Sequence, residues 1–204
     1  MLFRSDEPLG RYVGNSLEVF ECLQIMRGEA DELMKPTADL SIELTARMVF
    51  LSGIEKSIEK ARSLCRRKLA DGSALEKFRE NVRLQGGDVS VCSRPKSLLR
   101  AKVKKTAIKA VASGYIAGMD TRAIGDAVAL GGGGRMLASD SVDHAVGFER
   151  EVSIGSKVSK GDVLGHVYLR ESKNLTAIER MLGDAYKISR SKPTSSPIVR
   201  ETIG

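Results

Sequence analysis

The chain has 204 residues, of which 42% are hydrophobic and 29% charged, and its formal net charge is +7. This balance is typical of a soluble globular chain and excludes disordered and collagen-like proteins, while no stretch approaches the roughly 20 apolar residues that span a bilayer. The N-terminus lacks the charge pattern of a signal peptide. The three widely spaced cysteines and two histidines argue against a disulfide framework, a zinc site or a His-rich metal site, and they favour a cytoplasmic location.

Residues 6–21 predict a tight turn that feeds a helix. Pro8 fixes its own backbone φ, and Gly10 can take backbone angles that are closed to other residues. Gly14 is small enough for another element to approach closely. The helical pattern starts at Asn15, where Asn15 or its neighbour is expected to cap the helix.

The first part of the chain is predicted to be helical throughout. On the second helix, Leu40, Leu44, Met48 and Leu51 recur at spacings of three and four and form the apolar face. The four predicted helices cover residues 9–28, 38–52 with Thr37 as cap, Ser57 to Gly72, and Ser73–Leu84.

From about residue 88 the pattern changes to short β-prone segments separated by glycine turns. Predicted strands lie at Val142–Phe148, Glu151–Ile154, Lys157–Val158, Val163–Leu169 and Ile198–Ile203, and β-prone surroundings also occur between residues 103 and 116. Helices are predicted at Thr121–Leu130 and Leu175–Ile188. The chain is therefore an α+β protein with a helical first part and a mixed second part.

A basic run joins the two parts. Seven basic residues and no acidic residue lie between Arg94 and Lys109. One interpretation is a contact with a phosphate backbone or an acidic partner. The favoured interpretation is a solvated linker and edge strand, in which basic residues at 100, 102 and 104 line an exposed face and block edge pairing. No aromatic residue is interleaved, so no stacking platform for single-stranded nucleic acid is predicted.

Two further stretches carry motifs with a chemical interpretation. Gly131–Gly134 with Arg135 resembles a phosphate loop, but it follows a helix and lacks the Gly-Lys-Ser/Thr sequence, so a helix stop and flexible loop is favoured. Gly155–Leu164 is similar to the hairpin of lipoyl and biotinyl carrier domains. Lys173 lacks the flanking residues of an attachment lysine, which favours a hairpin without a prosthetic group.

Several segments, in order, resemble the thymidine and pyrimidine-nucleoside phosphorylase family. Residues 6–21 are similar to its D-M-x-x-P-L-G-x-x-V-G-N-x-x-E-V-x-E signature, and the likeness runs from about residue 6 to the end. The other matching segments are residues 75–87, 113–126, 130–135, 139–148 and 155–164. The first five residues fall outside it and are expected to be a foreign or mistranslated start.

The resemblance implies a fold and a division into domains. Residues 1–5 are the non-native start, 6–88 the helical part of the large α/β domain, 89–106 a linker, and 107–204 the C-terminal domain with an α/β-hammerhead or barrel-like fold. The family's segments that bind phosphate and base precede the segment that matches residue 6. We therefore expect this chain to be the C-terminal portion of such an enzyme, with no catalytic and no substrate-binding residue, and to be inactive alone.

The resemblance also implies partners and a cation. The intact enzyme is expected to be a cytoplasmic homodimer that cleaves a pyrimidine nucleoside with phosphate as co-substrate, with no organic cofactor and no nucleic-acid or membrane partner. Potassium or another hard cation would be held by the carbonyl oxygens of Leu9 and Tyr12 and the carboxylate of Glu21. An AMP phosphorylase-type relative and a non-enzymatic carrier-like interaction domain are the alternatives.

Overall fold

The computed structural model describes residues 2–3, 6–99, 102–170, 174–194 and 197–201. Its contacts divide the chain into two compact units. We call Phe20–Ser97 the helical unit, and we call the residues up to Val19 together with those from Leu98 onward the sheet unit. The α+β class predicted from the sequence is confirmed. The predicted domain boundaries, which divide the chain after residues 5, 88 and 106, stay a prediction.

The helical unit contains the body of the first helix and the four that follow it. The helices are α1 (Asn15–Met26), α2 (Lys35–Leu51), α3 (Ile58–Ala70), α4 (Ser73–Leu84) and α5 (Ser90–Ser93), followed by a 3₁₀ helix at Pro95–Leu99. Ser57 caps α3 as predicted, because its hydroxyl accepts a hydrogen bond from the Lys60 amide. Helix α2 begins earlier than predicted, since Pro36 suits the first turn of a helix and does not end one.

Among its described residues, the sheet unit has three antiparallel sheets. Its strands are β1 (Leu2–Phe3), β2 (Tyr12–Val13), β3 (Lys104–Lys109), β4 (Gly114–Met119), β5 (Gly147–Arg150), β6 (Lys157–Val158), β7 (Val163–Leu169), β8 (Tyr186–Ser189) and β9 (Val199–Glu201). The largest sheet has the order β2-β5-β7-β3, the second β6-β4-β8, and β1 pairs with β9. Two helices, α6 (Thr121–Val128) and α7 (Leu175–Asp184), complete the unit.

The core of the sheet unit is apolar and fully covered. Phe148 on β5 and Val167 on β7 are among its members, together with Ile124 on α6 and Leu182 on α7. Side chains alternate between the faces of a strand, so Arg150 shares the core-facing side of β5 with Phe148, whereas Glu149 points to the other face. A charged residue therefore stands in a core-facing position.

Gly14 has the close approach that the sequence predicted. Its φ of +127° lies in a region that favours glycine, and an added Cβ would lie 2.6 Å from the Val146 carbonyl oxygen. Gly10 is different, because it is absent from the glycines with positive φ in the described ranges. No helix in the described part of the chain is long and apolar enough to cross a membrane.

Several predicted bounds are wrong for local reasons. Residues 9–14 are not helical, because Tyr12 and Val13 pair with β5. The strand predicted at Val142–Phe148 lies later, at Gly147–Arg150, since the Val146 amide donates to the Asp143 carbonyl in a turn before it. Glu151–Ile154 forms no strand.

The last predicted helix also ends early. It stops at Asp184, and Tyr186–Ser189 turns away to pair with β4. The predicted final strand is present as Val199–Glu201, and its predicted end at Ile203 lies outside the described residues. Arg100 of the basic run also lies outside them, as do Met1, Arg4 and Ser5 of the expected foreign start.

Candidate functional site

Residues 6–11 belong to the sheet unit, and hydrogen bonds along the segment hold it to later parts of that unit. The Asp6 carbonyl accepts from the Met119 amide at 3.0 Å, and the Glu7 carboxylate accepts from the Ile154 amide at 3.0 Å. The Arg11 carbonyl accepts from the Arg150 amide at 2.9 Å. The segment that carries the most specific sequence motif is thus positioned by residues more than 100 positions further along the chain.

Arg150 is the centre of this docking. Only 1% of its surface is exposed, and its Nε donates to the Gly10 carbonyl at 2.6 Å while Nη2 lies 3.5 Å from the Leu9 carbonyl. Nη1 donates to the Ser153 hydroxyl at 2.7 Å and to the Val152 carbonyl at 3.3 Å. The Glu7 carboxylate, 3.6 Å from Nη1, supplies the opposite charge. A planar guanidinium with five N–H donors suits such a ring of oxygen atoms.

Helix α1 starts where the docked segment ends. The Gly14 carbonyl accepts the first helical hydrogen bond from Glu18, and the Glu18 carboxylate accepts from the Gly14 amide at 2.9 Å. Asn15, predicted as a cap, instead contacts the His144 ring nitrogen Nδ1 at 2.7 Å, and the Ser16 amide donates to the His144 carbonyl. The start of the helix is therefore fixed both by its own residues and by the loop before β5.

A polar network covers the other face of the largest sheet. At its centre is Glu149, which is 5% exposed and accepts hydrogen bonds through both carboxylate oxygens. Oε1 accepts from Arg11 at 2.8 Å and from the Tyr12 hydroxyl at 3.3 Å, and Oε2 accepts from Lys105 at 2.8 Å and from the Tyr168 hydroxyl at 2.6 Å. The partners come from three other strands or their ends, so the network ties the sheet together across its width.

The pKa values in this network follow from burial and charge. Burial alone would raise the pKa of Glu149, but the hydrogen bonds from Lys105 and Tyr168 and the charges of Lys105 and Arg11 outweigh it and lower that pKa. Burial and the nearby Glu149 charge raise the pKa of Tyr12. The Lys105 pKa is raised although burial opposes this, because the Glu149 carboxylate favours the charged ammonium. The network is thus held in one state at neutral pH, with an anionic carboxylate between two cations.

Three potential metal ligands meet beside this network. Ligand atoms of Glu149, Glu151 and His166 all lie within 4.8 Å of one another. However, Arg11 bridges the two carboxylates at 2.8 and 2.9 Å, and Lys105 holds the second oxygen of Glu149. Two carboxylates are therefore balanced by two cations, and a metal ion would have to displace both. The arrangement fits an ion-pair network better than a metal centre.

The predicted cation ligands fall on both units. Leu9 and Tyr12 belong to the sheet unit and Glu21 to the helical unit, so the three-residue site stays a prediction. The hydrogen bond between residues 150 and 11 makes the neighbouring Tyr12–Glu149 pair the non-hydrogen-bonded one, which directs the Tyr12 carbonyl away from β5. Glu21 is buried and accepts from the Thr37 hydroxyl at 2.9 Å. Leu9 differs from both, because its carbonyl faces the Arg150 guanidinium.

The glycine run after α6 is packed tightly. Ala129–Gly133 continues the helix as a wider π-type turn, and a Cβ on Gly131 would lie 2.5 Å from the Leu169 side chain. The expected helix stop is confirmed, but it lies at Gly133, so residues 131–133 continue the helix and do not form the predicted loop. The glycines allow close packing, and neither the phosphate-loop geometry nor a strand before the run is present there.

The hairpin predicted at Gly155–Leu164 is wrong, because β6 and β7 form but lie in different sheets, where β6 pairs with β4 and β7 pairs with β3 and β5. Lys173, the residue weighed as an attachment lysine, lies outside the described residues. The basic run is confirmed in part as an edge strand, since β3 lies at the end of its sheet with Lys104 and Lys109 exposed.

Sequence reasoning missed Glu149 and Arg150. The available signal was two charged residues directly after Gly147 and Phe148, inside a segment with β-prone neighbours. Their partners Arg11 and Gly10 lie about 140 residues away in the chain, and no local pattern indicates such pairs.

Comparison with known proteins agrees with the sequence motifs. Residues 115–189 match the family described as pyrimidine nucleoside phosphorylase C-terminal domain. The thymidine phosphorylase of Rhizobium meliloti (strain 1021) is 31% identical over 194 residues, which cover 95% of this chain and 44% of that protein. The pyrimidine-nucleoside phosphorylase of Staphylococcus aureus (strain USA300) is 35% identical over 159 residues, which cover 78% of this chain and 36% of that protein. The chain thus spans less than half the length of these relatives.

Proposed function

Because the chain is related to the thymidine and pyrimidine-nucleoside phosphorylases, with their C-terminal domain at residues 115–189, we propose that it is the C-terminal part of such an enzyme. The observation that carries this proposal is the alignment with the Rhizobium meliloti thymidine phosphorylase over 95% of the chain. The proposed fold of the sheet unit is the α/β-hammerhead or barrel-like domain that the resemblance implies.

The proposed reaction is pentosyl transfer from a pyrimidine nucleoside, such as thymidine, to phosphate. An oxygen of phosphate forms a bond to C1′ of the sugar, and the bond between C1′ and the base nitrogen breaks. The products are the free base, which takes up a proton, and the sugar 1-phosphate. Catalysis of this step depends on holding phosphate and nucleoside in line and on stabilising the leaving base.

In the family that this chain resembles, the segments that bind phosphate and base precede the segment that matches residue 6. We therefore place no catalytic and no substrate-binding residue in this chain. The proposed contribution of this chain to the reaction is structural: later residues of the sheet unit hold the segment of residues 6–14 in a fixed conformation. Two features support this role: the hydrogen bonds along residues 6–11, and the close contact of Gly14 with Val146 and Gly147. A cytoplasmic homodimer is the proposed state of the whole protein.

The helical unit offers a surface for the rest of such a protein. A groove of about 550 Å³ is lined mainly by apolar side chains, among them Ile25, Ile42, Val49 and Phe78. Large apolar residues on α2 and after it are exposed, as expected for helices that pack against a further sheet. We propose that the N-terminal portion of the enzyme covers these faces.

A chimaeric enzyme tests the proposal. Residues 6–204 replace the aligned part of the Rhizobium meliloti thymidine phosphorylase, and phosphate-dependent release of thymine from thymidine is measured by chromatography. We expect turnover well above that of the 204-residue chain alone, which should release no base. Uridine and AMP assayed in parallel identify the preferred substrate.

A folded but inactive chimaera would contradict the proposal, provided that circular dichroism shows native helix content and that the unmodified relative is active under the same conditions. Turnover by the isolated chain would contradict the placement of all catalytic residues outside it.

A further inference from the structure

The Leu9 carbonyl, one of the three predicted cation ligands, faces a positively charged side chain of this chain. The Arg150 guanidinium lies 3.5 Å from the Leu9 oxygen and donates to the next carbonyl, that of Gly10, at 2.6 Å. Two successive carbonyl oxygens of the turn therefore point toward the same cation. A turn that presents carbonyls in this way also suits a hard metal ion, so the residue and the ion would compete for the same oxygen atoms.

The surroundings of Arg150 are those of a bound cation. Its guanidinium lies within hydrogen-bond distance of four oxygen atoms, from Leu9, Gly10, Val152 and Ser153, and the Glu7 carboxylate lies 3.6 Å from Nη1. The side chain is almost completely buried, and burying an unpaired charge is costly. The oxygen atoms and the carboxylate together compensate this charge, as ligands would for an ion.

A metal ion at Leu9 would meet this charge at short range. Arg150 cannot lose its proton at accessible pH, so it stays cationic next to the Leu9 oxygen. The Glu7 carboxylate lies 3.6 Å from Arg150, and a metal ion at the same carbonyl would place a second positive charge beside this guanidinium. The Leu9 position therefore does not fit the metal role that the resemblance assigns to it.

We propose that Arg150 is a built-in cation of the turn at Leu9–Gly10 and takes the place that a metal ion has been predicted to occupy there. The C-terminal part of the chain then sets the conformation of this turn by itself, and metal ions are not needed for it. Arg150 acts through the turn and is a positioning residue. The inference rests on contacts inside the sheet unit and is independent of the reaction proposed above.

Chemical rescue tests the proposal on the full 204-residue chain. Arg150→Ala removes the guanidinium and leaves the carbonyls and Glu7 without it, so the melting temperature should fall by roughly 10 °C. Guanidinium chloride at low millimolar concentration should then raise the melting temperature of this variant, whereas urea, which has the same shape but no charge, should not. Neither additive should stabilise the wild type or Arg122→Ala, a control in which the mutated side chain is 91% exposed.

Two results would overturn the proposal. One is a folded Arg150→Ala variant that guanidinium does not stabilise more than urea does, which would mean that the side chain acts only by packing. The other is a higher melting temperature of the wild type in potassium or calcium chloride than in choline chloride of equal ionic strength. The second measurement needs no variant, so the proposal can fail even where Arg150→Ala does not fold.

Discussion

In the sheet unit, α6 and α7 pack on strands whose inner faces are fully covered, and Phe148, Val167 and Leu182 have no exposed surface. In the helical unit, no residue of α4 is buried, and on α2 the apolar side chains of Met48 and Leu51 are 69% and 81% exposed. The two units have similar helices but differ in what covers them. An apolar stripe at helical spacing thus predicts a helix, and it leaves open whether its partner lies in the same compact unit.

The units also differ in how they hold charge. Glu149 and Arg150 in the sheet unit are buried, and each makes several hydrogen bonds. The largest ion-pair group of the helical unit joins Glu43 to Arg47 and Arg62 with partly exposed side chains. Buried charges lose much more than exposed ones when a partner is removed, because the remaining group cannot return to water. We therefore expect substitutions in the sheet unit to lower the free energy of unfolding more than matched substitutions in the helical unit.

The largest difference is expected for a matched pair of phenylalanines. Phe148→Ala should lower the free energy of unfolding by about 3–5 kcal/mol, because it opens a cavity in a fully packed core. Phe78→Ala on the half-buried face of α4 should lower it by about 1 kcal/mol, since less surface is lost and the side chain lines an open groove. Urea unfolding followed both by tyrosine fluorescence and by circular dichroism at 222 nm is the measurement.

Tyrosine fluorescence reports on the sheet unit, because all four tyrosines of the chain lie there, and circular dichroism at 222 nm reports on helices of both units. Equal losses for the two phenylalanine variants would show that the exposed faces of the helical unit are as well packed as the sheet core, and the comparison would fail.

The second effect concerns Glu149 and pH. Glu149→Gln should lower the free energy of unfolding at pH 7 by about 1–3 kcal/mol, because it removes the anion between Arg11 and Lys105. The pKa of Glu149 is below its usual 4.5, so its stabilising contribution is present above that pH and is lost as pH falls through the lowered pKa. The variant should therefore lose less stability than the wild type between pH 7 and pH 3.

The control for this prediction is Glu32→Gln, whose side chain is 84% exposed. It should keep the pH dependence of the wild type. A Glu149→Gln chain with an unchanged slope against pH would mean that the carboxylate is not held ionised by its partners.

Local patterns predicted a large part of the fold. The bounds of α4 and β7 agree with the sequence analysis, because α4 lies between Gly72 and the Gly86–Gly87 pair and β7 follows the glycine turn at Gly161. The close approach at Gly14 was also predicted, since a glycine inside an otherwise bulky segment indicates a steric need. Residues 186–188 were predicted as the end of the last helix, and pairing with β4 places them in a strand instead.

The candidate site was less accessible to sequence reasoning. The motif of residues 6–21 indicated the turn and Glu21, but not that a strand residue in the second half of the chain holds the turn. A charged residue on a strand is expected to face water, and Arg150 departs from this rule because the turn brings carbonyls and a carboxylate to it. Such compensation depends on contacts between residues far apart in the chain, and these contacts cannot be predicted from the composition or from the spacing of apolar residues.

The smallest effect is expected in the helical unit at Glu43. Its two oxygens accept from Arg62 at 2.6 and 2.9 Å, and the Arg62 hydrogen bond lowers the pKa of Glu43. The pair joins α2 to α3, but its side chains are partly exposed, and ion pairs in contact with water contribute little. Glu43→Gln should therefore lower the free energy of unfolding by only about 0.5 kcal/mol, measured by circular dichroism at 222 nm, and 0.5 M salt should reduce the difference.

Glu59→Gln is the matched control for Glu43→Gln. Its carboxylate lies 3.8 Å from the same Arg62 but is 73% exposed, so no measurable loss is expected. A loss at Glu43 as large as that at Glu149 would reverse the comparison. It would mean that the junction of α2 and α3 depends on its ion pairs as strongly as the sheet depends on its buried carboxylate, and that the exposed apolar faces of the helices contribute less to the unit than its charges do.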